Sequence, residues 1–322
     1  MNTKNYQEIF QPLWSDADQS SSYPSLRPKL AHYTSIENIE NILRTDETWF
    51  SNPLNMNDHE ELRYVVLEAH NKFYENKNLR DCFSEADQFN NLQKHFEYFF
   101  NQFSNQHCLD IYAFCFSEYS ESDSDGLLSM WRGYGGNGKG AAIVLDTAKL
   151  EPKEDSPFIV AKVIYLSKEF RLKWIDNTLD QLAGIIKADN LFNDEDLYFA
   201  AYYLFERIKL FALFTKHSGF TEEKEWRVVY LKERNSDPEI DKMLGYAKTA
   251  RGLEPKLKFK FKSLESISTG EFSISSLTHK IILGPAFSSP MARSTFERML
   301  DIVEKPELKE KVSASDIPFR PL

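Results

Sequence analysis

The chain has 322 residues, of which 42% are hydrophobic and 14% aromatic, so it can form one large domain or two ordinary ones. Its formal net charge of -10 argues against broad electrostatic binding to nucleic acid or to an anionic membrane. The three cysteines, Cys82, Cys108 and Cys115, lack metal-type spacing, which predicts no metal site, no disulfide framework and a reducing, cytoplasmic compartment. The polar N-terminus and the lack of a long apolar run predict neither a signal peptide nor a membrane span.

The predicted elements mix strands and helices in no simple alternation. Residues 1–29 are polar and rich in serine and proline, which predicts a loosely ordered N-terminal arm. Strands are expected near 30–33, 49–51, 111–117, 141–145, 159–166, 225–231, 257–261 and 280–283. Helices are expected near 59–77, 85–104, 127–134, 168–188, 194–216 and 290–303. This order predicts a single α+β domain over 30–322, with helical insertions at about 59–104 and 168–216.

The segment from His32 to Ile39 is the first candidate site. It reads as a short strand that leads into a helix, with Thr34 and Glu37 arranged as a capping box. Unpaired amides at a helix start favour an anionic or polar ligand, so His32 and Thr34 are candidate binding residues. The alternative is a structural histidine followed by an ordinary helix cap.

A glycine-rich segment spans 133–140. Gly133, Gly135 and Gly138 fit the dinucleotide-binding pattern G-x-G-x-x-G, but that pattern must follow a strand and open a helix. Here a predicted helix precedes the segment and a strand follows it, so we expect a turn rather than a phosphate-binding loop. Trp131 and Tyr134 flank this turn, and they either stack on a ligand ring or belong to the core.

A late strand carries the candidate carboxylate. Alternation places Glu225 and Arg227 on one face of that strand, with Trp226, Val228 and Tyr230 on the other. A carboxylate beside a guanidinium stays ionised, and such a group can hydrogen-bond a ribose hydroxyl and stabilise an oxocarbenium-like centre. The alternative is an ordinary surface ion pair, which contributes little.

Six ordered blocks resemble a prokaryotic family, domain of unknown function 2971. They read HYTS, SNPLNMND, FCFSE, MWRGYG with GKGAAIVLD, EKEWRVVY and IILGP, and residues 315–320 also fit. The family name implies no reaction. The block HYTSIENI also resembles the first NAD-binding motif of DarT-type DNA ADP-ribosyltransferase toxins.

The DarT resemblance implies an ADP-ribosyltransferase-like split β-sandwich that binds NAD, as substrate, in a cleft. By position it implies that His32, Thr34 and Asn38 contact NAD. The order of an early histidine and a late glutamate implies Glu225 as the catalytic residue, and Arg63 is a match to an active-site arginine. Tyr33, Trp131 and Tyr134 are then candidates for stacking on nicotinamide or on a target base.

This resemblance implies an NAD-dependent transferase whose acceptor is a nucleic-acid base or a protein side chain, or a glycohydrolase that uses water. A toxin or phage-defence role, with an antitoxin or defence-system partner, would follow. The alternative is a noncatalytic nucleotide-sensing or protein-interaction domain of the same fold. A third hypothesis is a hydrolase that uses paired carboxylates such as Asp58 and Glu60. The first two are distinguished by whether His32, Thr34 and Glu225 line one cleft.

Overall fold

The computed structural model describes residues 4–17, 23–56, 59–151, 153, 156–250, 252–264, 266–267, 270 and 272–319, without the side chains of 59–61. Over these residues the strands are β1 (Lys29–Thr34), β2 (Glu47–Ser51), β3 (Ile111–Tyr119), β4 (Ala141–Asp146), β5 (Phe158–Lys162), β6 (Ile164–Leu166), β7 (Thr215–His217), β8 (Glu225–Leu231), β9 (Leu244–Thr249), β10 (Gly252–Lys260), β11 (Thr278–Leu283) and β12 (Val312–Ala314). The α-helices are α1 (Tyr6–Phe10), α2 (Ile36–Thr45), α3 (His59–Glu75), α4 (Lys77–Arg80), α5 (Ala86–Asn105), α6 (Leu128–Gly133), α7 (Lys168–Ala188), α8 (Asp194–Leu213), α9 (Pro238–Asp241), α10 (Ile274–Leu277) and α11 (Pro290–Ile302). Among the described residues, no helix combines the length and the apolar character needed to cross a membrane.

These elements form two compact units, and the α+β class is confirmed. The helical unit comprises the described parts of Met1–Gln19, Pro53–Ile111 and Ile164–Gly219, and the sheet unit those of Ser20–Asn52, Tyr112–Val163 and Phe220–Leu322. The predicted helical insertions thus correspond to the helical unit, whereas the sequence was interpreted as one domain. Each insertion buries one aromatic side of its helices against the other insertion, so the two form a core of their own.

The core of the helical unit is built from aromatic pairs between its long helices. Phe73 of α3 stacks on Phe96 of α5, with ring centroids 4.1 Å apart. Phe205 of α8 meets both Phe96 and Phe103 of α5 edge-on, at 6.1 and 5.5 Å. Such offset and edge-to-face pairs add to the stabilisation from burial.

The prediction of a loosely ordered N-terminal arm is wrong for residues 4–17, while residues 18–22 lie outside the described part of the chain. Helix α1 packs in the helical unit, and Phe10 is fully buried against Tyr203, with ring centroids 5.1 Å apart. Leu13 is also buried, and its carbonyl accepts a hydrogen bond from Arg207 Nε. The polar composition of the segment concealed these few apolar anchors.

The sheet unit is organised around a large sheet, ten-stranded over the described residues. Its main order is β12-β11-β4-β1-β3-β2-β10-β9, with β8 joining β3 to β5. Strand β3 pairs with β1 near its C-terminal end, where Ala31 lies opposite Ser117, and with β2 near its start, where Ser51 lies opposite Ala113. Two runs of sheet, β1-β4-β11-β12 and β2-β10-β9, therefore both start from β3.

Side chains of this sheet alternate between two faces. One, called here the aromatic face, carries Leu30, Phe114, Phe116, Trp226 and Tyr230, which belong to one buried cluster. The face opposite to it carries a smaller cluster formed by Ala31, Tyr33, Tyr119, Met130, Trp131, Ala142, Val144 and Ile282. Neighbouring residues of one strand consequently reach different surroundings, which decides where each predicted site residue lies.

Candidate ligand-binding site

A cavity of about 530 Å³ lies within the sheet unit on its aromatic face. Its lining comes from several strands and the segments between them. The lining residues are Tyr23, Pro24, Leu30, Thr48, Phe50, Phe114, Phe116, Leu145, Asp146, Thr147, Leu150, Lys153, Ser156, Phe158, Ile159, Val160, Val228, Arg234, Phe259, Phe261, Ile267, Phe272 and Leu277. Protein interiors are close-packed with few voids larger than a water molecule, so a hollow of this size is a candidate ligand site.

Aromatic rings form about half of the apolar wall among the described lining residues. Phe50 lies within 5.3 to 5.8 Å of Phe114, Phe158 and Phe259, measured between ring centroids. Phe259 also meets Phe272 edge-on at 5.8 Å. The rings therefore hold one another in fixed orientations and present both edges and faces to the cavity.

Charged and polar groups complete the lining. Lys153 and Arg234 supply two cations, and Asp146 supplies a carboxylate. Arg234 is exposed, whereas Lys153 and Asp146 are partly exposed, so these charges remain in contact with solvent. Burial raises the pKa of Tyr23, whose phenol consequently stays protonated at neutral pH. The polar groups are few and lie among many apolar ones, as in small-molecule sites generally.

His32 projects from the aromatic face but is not a lining residue of the cavity. Its ring lies 4.3 Å from that of Phe114, and its Nδ1 is 3.0 Å from the carbonyl oxygen of Cys115. Burial lowers the pKa of His32, and the hydrogen bond with Cys115 opposes this shift only in part. The imidazole is therefore neutral at physiological pH.

Glu118 is a carboxylate on the same face that the sequence reasoning missed. It lies opposite Leu30 in the pairing of β1 with β3, which makes it a diagonal neighbour of His32, at about 7–8 Å for such positions. Its Oε2 accepts hydrogen bonds from Lys162 at 2.7 Å and from Trp226 at 3.0 Å. Burial would raise the pKa of Glu118, but these two donors outweigh it and lower the pKa. The period-2 run Phe114, Phe116, Glu118 was the available signal.

The predicted capping box at Thr34 is wrong. The helix cap is Ser35, one residue later, whose hydroxyl accepts the backbone N–H of Asn38 at 3.2 Å. Thr34 is still extended and pairs with Ala141 of β4. Its hydroxyl accepts a hydrogen bond from the Asn38 side-chain amide at 2.8 Å. The two residues that were predicted to contact NAD are thus hydrogen-bonded to each other.

Tyr33 and Trp131 lie on the face opposite to the aromatic face. Trp131 is completely buried, its indole N–H donates to the carbonyl of Asp125, and its ring meets Tyr33 edge-on at 4.8 Å. The Tyr33 hydroxyl accepts the backbone N–H of Leu127. Trp131 is therefore a core residue, which is one of the two alternatives predicted for it, and Tyr33, predicted to stack on a ligand, packs against it instead. Tyr134 differs: it is exposed, and its hydroxyl donates to Glu223 at 3.1 Å.

Glu225 also projects away from the aromatic face. Its neighbour Trp226 belongs to the aromatic cluster, so alternation directs Glu225 and Arg227 to the other side of β8. Both are buried, and Arg227 Nε donates to Glu225 Oε1 at 2.7 Å. The expected convergence of His32 and Glu225 on one hollow is therefore not observed, because the two side chains leave the sheet on opposite sides.

The remaining candidates lie elsewhere. Arg63 is exposed on α3 of the helical unit. Asp58 and the side chain of Glu60 lie outside the described residues, so the hypothesis of a hydrolase with paired carboxylates stays a prediction. Within the described part of the chain, no group of three histidine, cysteine or acidic residues is placed to hold a metal ion.

The glycine-rich segment is a turn, as predicted, and it is packed against backbone. A side chain at Gly140 would lie 2.1 Å from the carbonyl oxygen of Thr34. The carbonyls of Gly138 and Gly140 accept the N–H groups of Ala286 and Gly284. The segment thus fixes the end of β1 and the start of the turn after β11, and the amides and carbonyls involved are used by the protein itself.

The comparison with known proteins finds similarity to one family, and that family has no assigned activity. The family model described as "Protein of unknown function (DUF2971)" matches residues 130–228. Over these residues the chain is similar to that family. The matched residues include Trp131, the glycine-rich turn and the strand with Glu225, so the resemblance seen in those blocks is confirmed, while the similarity to DarT enzymes stays a prediction. No curated protein and no solved structure matches the chain.

Proposed function

We propose that the sheet unit binds a nucleotide-like small molecule, a flat ring joined to an anionic group, and acts as a noncatalytic ligand-sensing domain. The observation that carries this proposal is the cavity of about 530 Å³, walled by phenylalanine rings and edged by Lys153 and Arg234. Typical ligand pockets have volumes of roughly 300–1,000 Å³ and combine an apolar wall with a few polar groups.

The wall suits a planar ring. Phe50, Phe158 and Phe259 come from three different strands, and each ring is held by the other two at 5.2 to 5.8 Å. A ligand ring in the cavity can pack against this cluster edge-on or offset. Because the rings are pre-oriented by the sheet, binding would immobilise few additional side chains, which lowers its entropic cost.

The charged groups of the lining suit an anionic substituent. Arg234 can donate a bidentate pair of hydrogen bonds to a phosphate, and Lys153 adds a second positive charge. Ser156 and Asp146 supply oxygens for ribose hydroxyls. Among the lining residues that the structure describes, Lys153 and Arg234 accompany one carboxylate, Asp146, so this part of the lining suits an anion.

A sensing rather than a catalytic role is favoured by where the predicted machinery lies. Glu225 is on the other side of the sheet, Thr34 and Asn38 bind each other, and Trp131 is a core residue. His32 is neutral and carries a ring contact with Phe114. None of these groups is a lining residue of the cavity.

Isothermal titration calorimetry with NAD and with ATP tests the proposal, and adenosine, which has no phosphate, serves for comparison. Val228→Phe places a larger side chain in the cavity and should abolish binding while the protein stays folded. Leu253→Phe makes a similar enlargement at an exposed position of β10 and should leave the affinity unchanged. Absence of binding by the parent protein at millimolar concentration of every probe would contradict the proposal.

The charged part of the lining is tested separately. Arg234→Gln should weaken binding of ATP about tenfold, the loss expected for one charge-assisted contact to phosphate, and should affect adenosine little. Lys232→Gln is the matched control, because Lys232 lies in the same turn but is not part of the lining. Equal loss for ATP and adenosine would mean that Arg234 does not recognise the phosphate.

A second candidate is an NAD-cleaving, ADP-ribosyltransferase-like enzyme of split β-sandwich fold. It is favoured by two observations: β1 and β2 pair with opposite ends of β3, and Glu118 is a diagonal neighbour of His32 on the aromatic face. In this proposal NAD is the substrate, Glu118 stabilises the developing charge on the ribose, and the acceptor is a nucleic-acid base, a protein side chain or water.

Nicotinamide release from NAD distinguishes the two candidates. Release that is lost in Glu118→Gln and kept in Glu225→Gln would favour the enzyme with its site on the aromatic face. The reverse pattern, in variants that circular dichroism shows to be folded, would restore Glu225 as the catalytic residue. Binding without release would favour the sensing domain.

A further inference from the structure

Arg171, on α7 of the helical unit, is a buried cation that has no acidic partner in the described part of the chain. The residue is 6% exposed, and its Nε is fully buried and has no hydrogen-bond partner among the described residues. No carboxylate among the described residues forms an ion pair with it. Burying a guanidinium N–H without a hydrogen bond is costly, because the lost hydration is not replaced.

The other buried cations of this unit are treated differently. Arg207 donates from Nε to the carbonyl of Leu13 and from Nη2 to Asp16 at 2.6 Å. Lys209 is paired with Glu206, one turn away on the same helix. Arg171 thus differs from Arg207 and Lys209, because its guanidinium lies against the ring of Tyr64 and not against a carboxylate.

Two further groups surround the Arg171 guanidinium. Its Cζ lies 5.3 Å from the ring centre of Tyr64 on α3, and the Lys168 ammonium lies 5.5 Å from the same centre. The Tyr64 hydroxyl is also fully buried and has no hydrogen-bond partner among the residues that the structure describes. Two positive charges therefore lie within 5.5 Å of the centre of the Tyr64 ring, and the hydroxyl of that ring is unsatisfied.

The start of α7 adds to this positive potential. Lys168 and Arg171 lie in its first turn, where the helix dipole is positive and cations are unfavourable. Glu169 is in the same turn, but its carboxylate is exposed and accepts a hydrogen bond from Ser167 Oγ at 2.7 Å. The pKa of Glu169 is lowered, mainly by the hydrogen bond from Ser167 and to a smaller extent by the charge of Lys168. Glu169 forms no ion pair with Arg171.

We propose that Tyr64, Lys168 and Arg171 form a binding site for a tetrahedral oxyanion of the phosphate class. Arg171 would donate two hydrogen bonds to it, Lys168 would supply a second charge, and the Tyr64 hydroxyl would donate a third contact. The occupant is inorganic phosphate or the phosphoryl group of a small phosphate monoester, which share this chemistry. The site lies in the helical unit and does not depend on the cavity of the sheet unit.

The test measures binding of inorganic phosphate and of phenyl phosphate to the full-length protein, by ³¹P NMR titration and by thermal unfolding against chloride of equal ionic strength. Phosphate should raise the unfolding temperature of the parent protein more than chloride does. Arg171→Gln should weaken the affinity at least about tenfold, and Lys168→Gln several-fold. Lys173→Gln, an exposed position on the same helix, should leave the affinity unchanged.

The comparison of the two probes identifies the source of the anion. Tighter binding of phenyl phosphate means a monoester, and equal or weaker binding means free phosphate, and both outcomes support the site. Arg171→Lys keeps the charge and should retain part of the affinity even if Arg171→Gln fails to fold. The proposal is overturned if phosphate stabilises the parent no more than chloride does, or if Lys168→Gln and Arg171→Lys both bind as the parent does.

Discussion

The His32 imidazole donates a hydrogen bond from Nδ1 to the backbone carbonyl oxygen of Cys115, over 3.0 Å. A carbonyl oxygen can only accept, so the proton of the neutral ring is on Nδ1 and Nε2 is left as an acceptor. Burial lowers the pKa of His32, and this hydrogen bond offsets part of the shift. The first candidate residue of the sequence is therefore a neutral group held between β1 and β3.

We expect His32 to titrate below the ordinary histidine value of 6.5 when its imidazole signals are followed by NMR. Because the folded pKa is lower than the unfolded one, the unfolded chain binds the proton more readily. Its contribution to stability is complete above about pH 6.5 and is lost as the pH falls towards the folded pKa.

His32→Phe removes this titration and keeps an aromatic ring against Phe114. In that window the variant should lose a slope of at most about 1.4 kcal/mol per pH unit, the value for one proton. A histidine that titrates above 6.5, or an unchanged slope in the variant, would show that the ring is not buried as described.

Gly140→Ala should strongly destabilise the sheet unit. The added methyl would lie 2.1 Å from the carbonyl oxygen of Thr34 and 2.8 Å from that of Gly135, and backbone atoms cannot move aside cheaply. We expect a loss of about 3 kcal/mol, the upper end for overpacking, in urea unfolding. Gly133→Ala is the control: its methyl meets nothing within 4 Å and should be neutral or stabilising. Equal effects would contradict the described packing of the turn.

Phe10→Ala tests whether the N-terminal residues belong to the helical unit. Phe10 is fully buried and packs on Tyr203, so its truncation should cost about 3–5 kcal/mol in chemical unfolding. Leu67→Ala removes a half-exposed side chain of α3 and should cost far less. A negligible effect of Phe10→Ala would restore the prediction of a loosely ordered arm.

The buried pair of Glu225 and Arg227 should be important for stability whatever the protein binds. Arg227→Met removes the guanidinium that bonds the buried Glu225 carboxylate, which should cost about 3–5 kcal/mol at pH 7. Arg44→Gln breaks an exposed pair with Glu40 and should change stability by less than about 1 kcal/mol. Similar small losses in both variants would mean that the Glu225 pair is solvated.

Most of the strands, though not their order in the sheet, could be anticipated from period-2 patterns and apolar runs. Strand β9 was missed because its polar, glycine-containing residues show little apolar alternation. It is a strand because it pairs with β10, and that pairing is seen only in the structure. The predicted strand at 159–166 is two strands, β5 and β6, which belong to different units. The sequence has no marker at Val163, since a chain can pass between units without a turn.

The candidate site was predicted less well than the fold. Phe114, Phe116 and Phe259 stand at alternating positions of predicted strands, but the same pattern describes a solid core, so a cavity could not be inferred from it. Alternation within β8 correctly separated Glu225 from Trp226. What it could not supply was which of those two faces His32 shares, because that depends on how β1, β3 and β8 pair across the sheet.

Val228 and Val229 offer the most direct test of a nucleotide-like ligand in the aromatic cavity, because their side chains leave β8 on opposite sides of the sheet. Val228 lines the cavity, and Val229 is on the side of Glu225. Methyl NMR spectra of valine-labelled protein would be recorded during titration with NAD and with ATP. We predict that the methyl signals of Val228 and Val160 shift and those of Val229 do not. Shifts at Val229 with none at Val228, or no shift at either, would contradict a nucleotide-like ligand in the aromatic cavity.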